Sequence, residues 1–311
     1  MEENTKGLDA GGKFEFPIIQ EQAGCGCGGD NAADADDSGS SLDQPFVSGS
    51  LSTPAGLLPK VSSRLTRQDR WGTIKARFGV GRMNYAVHPG LYALGEPDEN
   101  APVLVTANYK MSFDCLRQAL PGRNAWILVL DTKGINVWCA AGKGTFGTNE
   151  LVYRIEAGGL KKVVRHRKMV LPQLGAPGIA AHQVKKLSGF KAHYGPVRAR
   201  DIPAYLDNGL RASREMRIVT FPLADRAVLI PIELLGAAKP FALLSLALLV
   251  LAGILGRSGF QTNLLHDGVF AVVALFAALF GGAVLTPLLL PWLPGRAFSV
   301  KGLSIGLVTA L

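Results

Sequence analysis

The sequence predicts an α/β domain built on a parallel sheet and followed by transmembrane helices. Short apolar runs, such as residues 103–106 and 125–131, alternate with segments of helical composition, as a parallel sheet covered by helices requires. Beyond residue 238 the chain becomes leucine-rich and nearly uncharged, as a bilayer core demands. Hydrophobic residues make up 48% of the chain and charged residues only 18%, so it is more apolar than a soluble enzyme needs.

The remaining predicted elements follow in chain order. Residues 61–101 lead into the fold, and the α/β domain is expected to span residues 61–237. Helices are predicted at residues 112–120, 149–157, 179–187 and 202–208, and strands within 162–171, at 192–194 and at 216–221. Thr148 is expected to cap the helix at 149–157.

Residues 1–60 have the composition of a disordered acidic arm. They hold ten acidic residues and three lysines, with many glycines and serines and few large apolar side chains. Cys25 and Cys27 lie in this arm, where a flexible CxC pair could scavenge a thiophilic metal or be two incidental thiols. The amino terminus has no apolar core, so a signal peptide is not expected.

The net charge of +9 lies outside this acidic arm and indicates an anionic partner. Nucleic acid is the generic candidate, but the basic residues accompany no nucleic-acid-binding motif, so we expect no nucleic acid. An anionic cofactor periphery, a phosphate-bearing donor, an acidic ferredoxin and a lipid surface all remain open. Arg64, Arg67, Arg70, Lys75 and Arg77 form a basic face for which plain solvation is the simplest interpretation.

Residues 238–311 are predicted to form a membrane domain. Two segments, 238–256 and 268–290, are long enough to span a bilayer, and a further apolar segment begins at residue 302. The third segment contains about half a span, so we expect a truncated C-terminus. Basic residues precede the first span and follow the second, which predicts a multi-pass protein of the cytoplasmic membrane with the α/β domain in the cytoplasm and residues 256–267 outside.

Residues 136–148 are the stretch around which the domain is organised. Cys139 is expected in a glycine-rich turn between a strand and a helix, where α/β folds bind their ligands. Three interpretations compete: a buried structural cysteine, a nucleophile activated by Lys143 and the helix N-terminus, and a thiolate ligand to a soft metal. Residue chemistry alone does not separate the last two.

The run Asn-Val-Trp-Cys-Ala-Ala-Gly-Lys at residues 136–143 resembles the signature of the HgcA family, the membrane-bound corrinoid proteins of microbial mercury methylation. The resemblance continues through residues 105–110 and covers roughly residues 61–300. It implies a Rossmann-like corrinoid-binding domain, similar to that of the corrinoid iron–sulfur protein of the acetyl-CoA pathway. It also implies that Cys139 is the catalytic residue and the lower axial ligand of cobalt.

The same resemblance implies a wider cofactor site and a reaction. The implied corrinoid-binding residues are Thr106, Asn108, Asn136, Val137, Trp138, Cys139, Ala140, Ala141, Gly142, Lys143, Gly144 and Thr145. The implied enzyme is a methyltransferase that passes a methyl group from the corrinoid to inorganic Hg(II). A ferredoxin-like iron–sulfur protein is the implied electron donor, and methyltetrahydrofolate, acting through a methyltransferase, the implied methyl source. The alternatives are a membrane-anchored methyl carrier of acetyl-CoA-type one-carbon metabolism and a non-catalytic corrinoid-binding membrane protein.

Other polar residues are weaker candidates. Thr106 serves equally well as a strand-capping residue, and Asn108 and Asp131 are similar strand-end candidates. The histidines lack the Asp-x-His-x-x-Gly pattern by which other cobalamin proteins supply imidazole to cobalt, which favours Cys139. Cys115 is expected on a helix, with its side chain in the hydrophobic core of the domain.

Overall fold

The structure, a computed structural model, describes residues 41–310. Their centre is a seven-stranded mixed sheet in the order β1-β2-β3-β5-β4-β6-β7. Its strands are β1 (Val47–Thr53), β2 (Gly56–Val61), β3 (Gly90–Leu94), β4 (Val103–Ala107), β5 (Ala125–Leu130), β6 (Lys168–Leu171) and β7 (Lys191–Tyr194). Strands β4 to β7 are parallel, whereas β3 runs antiparallel to β5 and β1 antiparallel to β2. The predicted α/β class is confirmed, but the sheet is parallel only in part.

Helices cover both faces of this sheet and continue beyond it. Those of the α/β region are α1 (Arg67–Arg77), α2 (Lys110–Gln118), α3 (Val137–Lys143), α4 (Thr148–Ala157), α5 (Leu160–Val163), α6 (Ala181–Ser188) and α7 (Ile202–Asp207). Those that follow are α8 (Leu223–Ala227), α9 (Ile230–Leu255), α10 (Phe260–Asn263), α11 (Val269–Phe280), α12 (Thr286–Leu289) and α13 (Phe298–Ala310). Short 3-10 turns lie at Ser41–Asp43, Arg82–Asn84, Gln173–Gly175, Ala199–Asp201 and Glu215–Arg217.

Two hydrophobic layers pack against the sheet, one on each face. Successive side chains of a strand point to opposite faces, so β4 contributes to both. Val105 and Ala107 lie in the layer that also holds Ala140 of α3, whereas Leu104 lies in the layer with Phe113 of α2. Helices α2 and α3 therefore lie on opposite sides of the sheet.

The hairpin of β1 and β2 corrects the predicted arm. All of its residues except Val61 lie within 1–60, yet Gly49 to Thr53 pair with Gly56 to Lys60, and Val61 is 1% exposed. The prediction is wrong for residues 47–60, because the polar edge strand β1, with its serines and glycine, has nearly the composition of a disordered segment. Residues 1–40, with Cys25 and Cys27, lie outside the described residues.

The strand predicted at residues 216–221 is absent from the sheet. Glu215–Arg217 is a 3-10 turn, and Arg198 holds the segment that follows by donating to the side-chain and backbone oxygens of Thr220. Ile218 and Val219 are 49% and 63% exposed. The apolar run that indicated a buried strand therefore lies on the surface.

Two helices of the C-terminal part are long and apolar enough to cross a membrane. They run over Leu223–Leu255 and Phe260–Leu289, and the second is continuous through π-helical turns at Leu264–Gly268 and Gly281–Leu285. Only 6% and 11% of their most apolar windows are buried, unlike the core helices of a soluble domain. The predicted loop at 256–267 is shorter in the structure, because residues 260–267 are already helical.

Candidate functional site

Six residues separate the end of β5 from the start of helix α3, which lies at the carboxyl edge of the parallel strands. The Asn136 side chain accepts a hydrogen bond from the backbone N–H of Cys139 at 3.0 Å and so caps the helix. Gly144, at φ 81°, ends it in the left-handed conformation. Cys139 therefore lies in the first turn of a short helix. The predicted glycine-rich turn is wrong at this residue, because the Asn136 cap outweighs the low helix propensity of the following glycines.

The outward face of α3 carries the residues that could bind a ligand. Trp138 is 67% exposed, and Cys139, Gly142 and Lys143 are exposed beside it, as their three- and four-residue spacing requires. A Cβ added at Gly142 would meet no atom within 4 Å, so the space above it is open. The buried structural interpretation of Cys139 is therefore wrong, since its thiol is accessible.

The inward face of α3 is fixed by small residues. Ala140 and Ala141 are 0% and 5% exposed. A Cβ at Gly178 would lie 2.1 Å from the carbonyl oxygen of Phe146 and 3.0 Å from Cα of Ala141, and one at Gly175 would clash with the Phe146 ring. These glycines let the segment after β6 lie directly against α3, which fixes the direction in which Cys139 points.

The motif residues thus divide into two groups. Asn136, Val137, Ala140, Ala141, Gly144 and Thr145 are buried, half-buried or used to terminate the helix, whereas Trp138, Cys139, Gly142 and Lys143 face outward. Thr145 is half-buried, and its hydroxyl donates to the carbonyl of Ala140 at 3.4 Å. A ligand on this face meets the second group directly and depends on the first only for support.

Thr106 does not share the face of Cys139. It is 3% exposed, and its neighbours Val105 and Ala107 are the residues that pack in the layer of α3. The side chain of Thr106 therefore points to the opposite side of the sheet. Strand alternation directs this side chain into the core, and its assignment as a corrin contact stays a prediction.

Asn108 holds the loop that leads into α3. Its side-chain oxygen accepts from the Thr132 amide at 3.1 Å, the Thr132 hydroxyl at 2.7 Å and the Gly134 amide at 3.0 Å. Its amide nitrogen donates to Asp131 at 3.2 Å, and the residue is 6% exposed. These internal partners hold the side chain within the loop, and the predicted ligand contact stays a prediction. Its role is to position the loop.

Asp131 is likewise engaged within the loop. Lys133 donates to it from both its ammonium, at 2.8 Å, and its backbone amide, at 3.0 Å. Burial raises the pKa of Asp131, but the bonds from Lys133 and the nearby positive charges outweigh burial and hold that pKa below its ordinary 3.8. Asp131 is therefore an anionic anchor of the turn.

A buried ionic cluster beneath α1 and α2 was not predicted. Lys110 donates to Asp69 at 2.8 Å and to Asp114 at 2.6 Å, and Arg117 donates to the same two carboxylates at 2.8 Å. All four residues are at most 6% exposed, and the Lys110 ammonium lies 4.4 Å from the Phe46 ring centroid. The spacing of Lys110, Asp114 and Arg117 was visible in the sequence, but nothing local pointed to Asp69, 41 residues away.

Three other predictions concern single residues. Gly147, not Thr148, caps α4, and the Thr148 hydroxyl instead accepts from the Ala180 amide at 2.9 Å. Cys115 is exposed on α2, so its predicted core position is wrong. Within residues 41–310, no group of three His, Cys, Asp or Glu side chains could hold a metal ion. A metal at Cys139 thus needs further ligands from outside the described side chains.

A cavity of about 630 Å³ lies at the opposite edge of the sheet from Cys139. It opens where β4, β5 and β6 begin and is lined by Asn100, Pro102, Val103, Leu120, Arg123, Asn124, Ala125, His166, Lys168, Met169, Val170, Leu206, Asp207 and Leu210. Arg123 and Asp207 close one side with two hydrogen bonds of 2.8 and 2.6 Å. The surface around Cys139 is instead an exposed helix face.

Residues 78–206 match the family model described as CO dehydrogenase/acetyl-CoA synthase delta subunit. This segment contains α3 and Cys139. Similar curated proteins are acetyl-CoA decarbonylase/synthase complex gamma subunits. That of Methanopyrus kandleri is 32% identical over 123 residues, 39% of this chain and 26% of that protein. That of Methanothermobacter thermautotrophicus is 33% identical over 128 residues, 40% of this chain and 28% of that protein.

The matches confirm one part of the resemblance seen in the sequence. The central α/β segment is similar to subunits of acetyl-CoA-pathway complexes. The chain spans only about a quarter of the length of these relatives, whose remaining parts have no counterpart in the match. The more specific resemblance to the HgcA family stays a prediction.

Proposed function

We propose that this protein binds a corrinoid on the outward face of α3 and carries a methyl group for one-carbon metabolism, as a relative of the acetyl-CoA-pathway subunits. The observation that carries the proposal is the exposed thiol of Cys139 at the carboxyl edge of the parallel strands. This is the edge at which open α/β sheets bind ligands. The similarity of residues 78–206 to the delta and gamma subunits supports it.

The residues on this face fit a large planar macrocycle. Cys139 offers a soft sulfur, Trp138 a flat apolar surface, and Gly142 leaves open space in which a Cβ would meet nothing. Lys143 brings a positive charge to the edge of the same face, where it suits an anionic periphery. Asn136 and the small residues of the inward face keep the helix in place.

A bound corrinoid supplies a cobalt ion that accepts a methyl group and passes it on. The residues of this chain prepare that chemistry. The exposed Cys139 sulfur would hold the metal as a thiolate, which is a soft, strongly donating ligand. Trp138 would offer the bound group an apolar surface on the same face of α3. Asn108 and Asp131 hold the loop ahead of α3, which positions the helix that carries the sulfur.

A second candidate function is the methylation of inorganic Hg(II). Two features favour it: the run at residues 136–143 resembles the mercury-methylating family, and two apolar helices follow the α/β domain. In this candidate Cys139 would be the catalytic residue: it would hold the cofactor's metal as a soft, strongly donating ligand, and the cofactor would supply the methyl group for Hg(II). The general carrier rests on the sequence matches, and the mercury methyltransferase on the motif.

The proposal includes a location and partners. We place Leu223–Leu255 and Phe260–Leu289 across the cytoplasmic membrane, with the α/β domain in the cytoplasm. A ferredoxin-like iron–sulfur protein would return the cofactor to its reduced state. Methyltetrahydrofolate, acting through a methyltransferase, is the proposed methyl source. The similarity to subunits of multi-protein complexes supports protein partners in general.

The test is anaerobic loading of the full chain with methylcobalamin in detergent. After removal of free cofactor, we expect retained corrinoid in the wild type and in Cys115→Ala, and a changed visible spectrum in Cys139→Ala. Cys115 is the matched control, since it is also exposed on a helix. Identical spectra in all three proteins would defeat the proposal.

The acceptor is tested on the same loaded protein. With Hg(II) added, methylmercury formation faster than from free methylcobalamin supports the mercury function, and its loss in Cys139→Ala assigns the residue. A loaded protein that gives no methylmercury above this background, yet receives a methyl group from methyltetrahydrofolate and its methyltransferase, leaves the general carrier as the function.

A further inference from the structure

Helix α1 presents an apolar stripe to the outside. Trp71, Ile74 and Phe78 are 60%, 43% and 47% exposed, and their spacing of three and four residues places them on one side of the helix. The opposite side carries Asp69 and Ala76, at 5% and 1% exposure. Three large apolar side chains thus point directly away from the domain, the reverse of the usual arrangement of a surface helix.

Basic residues flank this stripe on both sides. On a helical projection Arg70 and Arg77 lie to one side of it and Lys75 to the other, and all three are exposed. The acidic residue of α1, Asp69, is buried and paired with Lys110 and Arg117. The outward charge of the helix is therefore positive, which suits a partner with an apolar interior and anionic surface groups.

The stripe leads toward the first apolar helix. Directly after α1, a Cβ at Gly79 would lie 4.0 Å from the Ile232 side chain in the first turn of α9, and Val80 is 62% exposed. The end of the second apolar helix is near the same place, since Arg226 of α8 donates to the carbonyl of Leu288 at 2.6 Å. The outward face of α1 thus adjoins the point where both apolar helices meet the domain.

We propose that α1 is an interfacial helix that rests on the surface of an anionic phospholipid bilayer. Trp71, Ile74 and Phe78 enter the boundary between headgroups and acyl chains, and Arg70, Lys75 and Arg77 bind lipid phosphates. Continuity with the apolar helices favours a bilayer over a soluble protein as the occupant. This inference rests on the proposed membrane location and not on the corrinoid.

The experiment is quenching of tryptophan fluorescence by brominated lipids. The full chain is placed in nanodiscs that contain phosphatidylglycerol, with or without bromine near the top of the acyl chains. The emission of Trp71 is obtained as the difference between wild type and Trp71→Phe. Trp292, 68% exposed at the end of the second apolar helix, serves as the membrane reference through Trp292→Phe.

We expect the bromine to remove most of the Trp71 emission and most of the Trp292 emission. An unquenched Trp71 beside a quenched Trp292 overturns the docking of α1 and points to a soluble partner for the stripe. If neither tryptophan is quenched, the membrane location fails as well. Neither result bears on corrinoid binding, which the cobalt spectrum reports separately.

The charge requirement is tested with neutral substitutions. The combined Arg70→Gln, Lys75→Gln and Arg77→Gln variant should lose Trp71 quenching in anionic nanodiscs, whereas Lys185→Gln with Lys186→Gln should retain it. The two control lysines are exposed on α6, on the far side of the sheet from α1. Equal quenching in both variants would contradict the role of the phosphates.

Discussion

At the scale of single residues, Asn108 holds the loop that leads into the candidate site. One buried side chain satisfies two backbone amides and a hydroxyl in the loop between β5 and α3. The sequence marked this asparagine as a ligand contact because it ends a strand. A strand-end amide can equally well serve the neighbouring loop, and only the position of Gly134 beside it distinguishes the two roles.

We expect Asn108→Ala to lower the free energy of unfolding by about 3 kcal/mol, because two buried amides lose their acceptor. The measurement is denaturant unfolding in detergent. Asn149→Ala is the control, since Asn149 is exposed on α4. If both variants have the same free energy of unfolding, Asn108 does not hold the loop as assigned.

Asn136 gives a second prediction at this scale. Asn136→Ala removes the capping oxygen that accepts from the Cys139 amide, so we expect the free energy of unfolding to fall by about 1 kcal/mol. Asn136→Ser supplies another capping oxygen and should retain most of the stability. The same unfolding assay measures both variants. An Asn136→Ser variant that is no more stable than Asn136→Ala would argue against the cap.

At the scale of elements, the ionic cluster joins α1 to α2. Burial raises the pKa of Asp69, but hydrogen bonds from Lys110, the Thr66 amide and Arg117 outweigh burial and hold this pKa far below its ordinary 3.8. Lys110 and Arg117 each contact both carboxylates, so the charges of the cluster compensate one another. The cluster therefore sets how α1, with its exposed stripe, sits on the domain.

This cluster predicts an acid-sensitive contribution to stability. Since the pKa of Asp69 is lower in the folded state, the unfolded state binds more protons once the pH approaches 3.8, and stability falls as the pH falls further. The stabilisation that Asp69 contributes is fully present at pH values well above 3.8. We expect the melting temperature to drop below about pH 5.

The decline should be shallower in Asp69→Asn than in the wild type. Asp43→Asn, at an exposed carboxylate, is the control and should follow the wild-type curve. A parallel acid decline in Asp69→Asn and the wild type would show that Asp69 is not its source.

The elements also show how far sequence reasoning reached. Strands β4, β5 and β7 and helices α2, α4, α6 and α7 were predicted near their observed positions, because their apolar patterns are local. The hairpin of β1 and β2 was missed because β1 is rich in serine and glycine, and α3 was missed because Gly142 and Gly144 suggest a turn. Pairing across 41 residues, as between Asp69 and Lys110, is set by tertiary contacts that a local pattern does not carry.

At the scale of the whole molecule, the apolar helices return to one side of the α/β domain. Arg226 contacts the carbonyl oxygen of Leu288 and lies 5.4 Å from the Trp292 ring, so the start of the first helix and the end of the second are adjacent. The basic residues of the proposed cytoplasmic side lie at this end. A helical hairpin across the membrane satisfies both observations.

We therefore expect a reporter fused after Leu265 to be periplasmic and one fused after Arg296 to be cytoplasmic. Paired alkaline phosphatase and fluorescent protein fusions report the two sides, because each is active on only one of them. A fusion after Leu223 should be cytoplasmic and is the internal control. The reverse pattern at Leu265 and Arg296 would contradict the topology.

The central claim, that the Cys139 thiolate is the cobalt ligand, is tested most directly by X-ray absorption at the cobalt edge. The sample is full chain, anaerobically loaded with corrinoid, as wild type, Cys139→Ala and Cys115→Ala. We predict a sulfur neighbour of cobalt in the wild type and in Cys115→Ala and none in Cys139→Ala. A cobalt–sulfur signal that persists in Cys139→Ala, or is absent from the loaded wild type, would contradict this account.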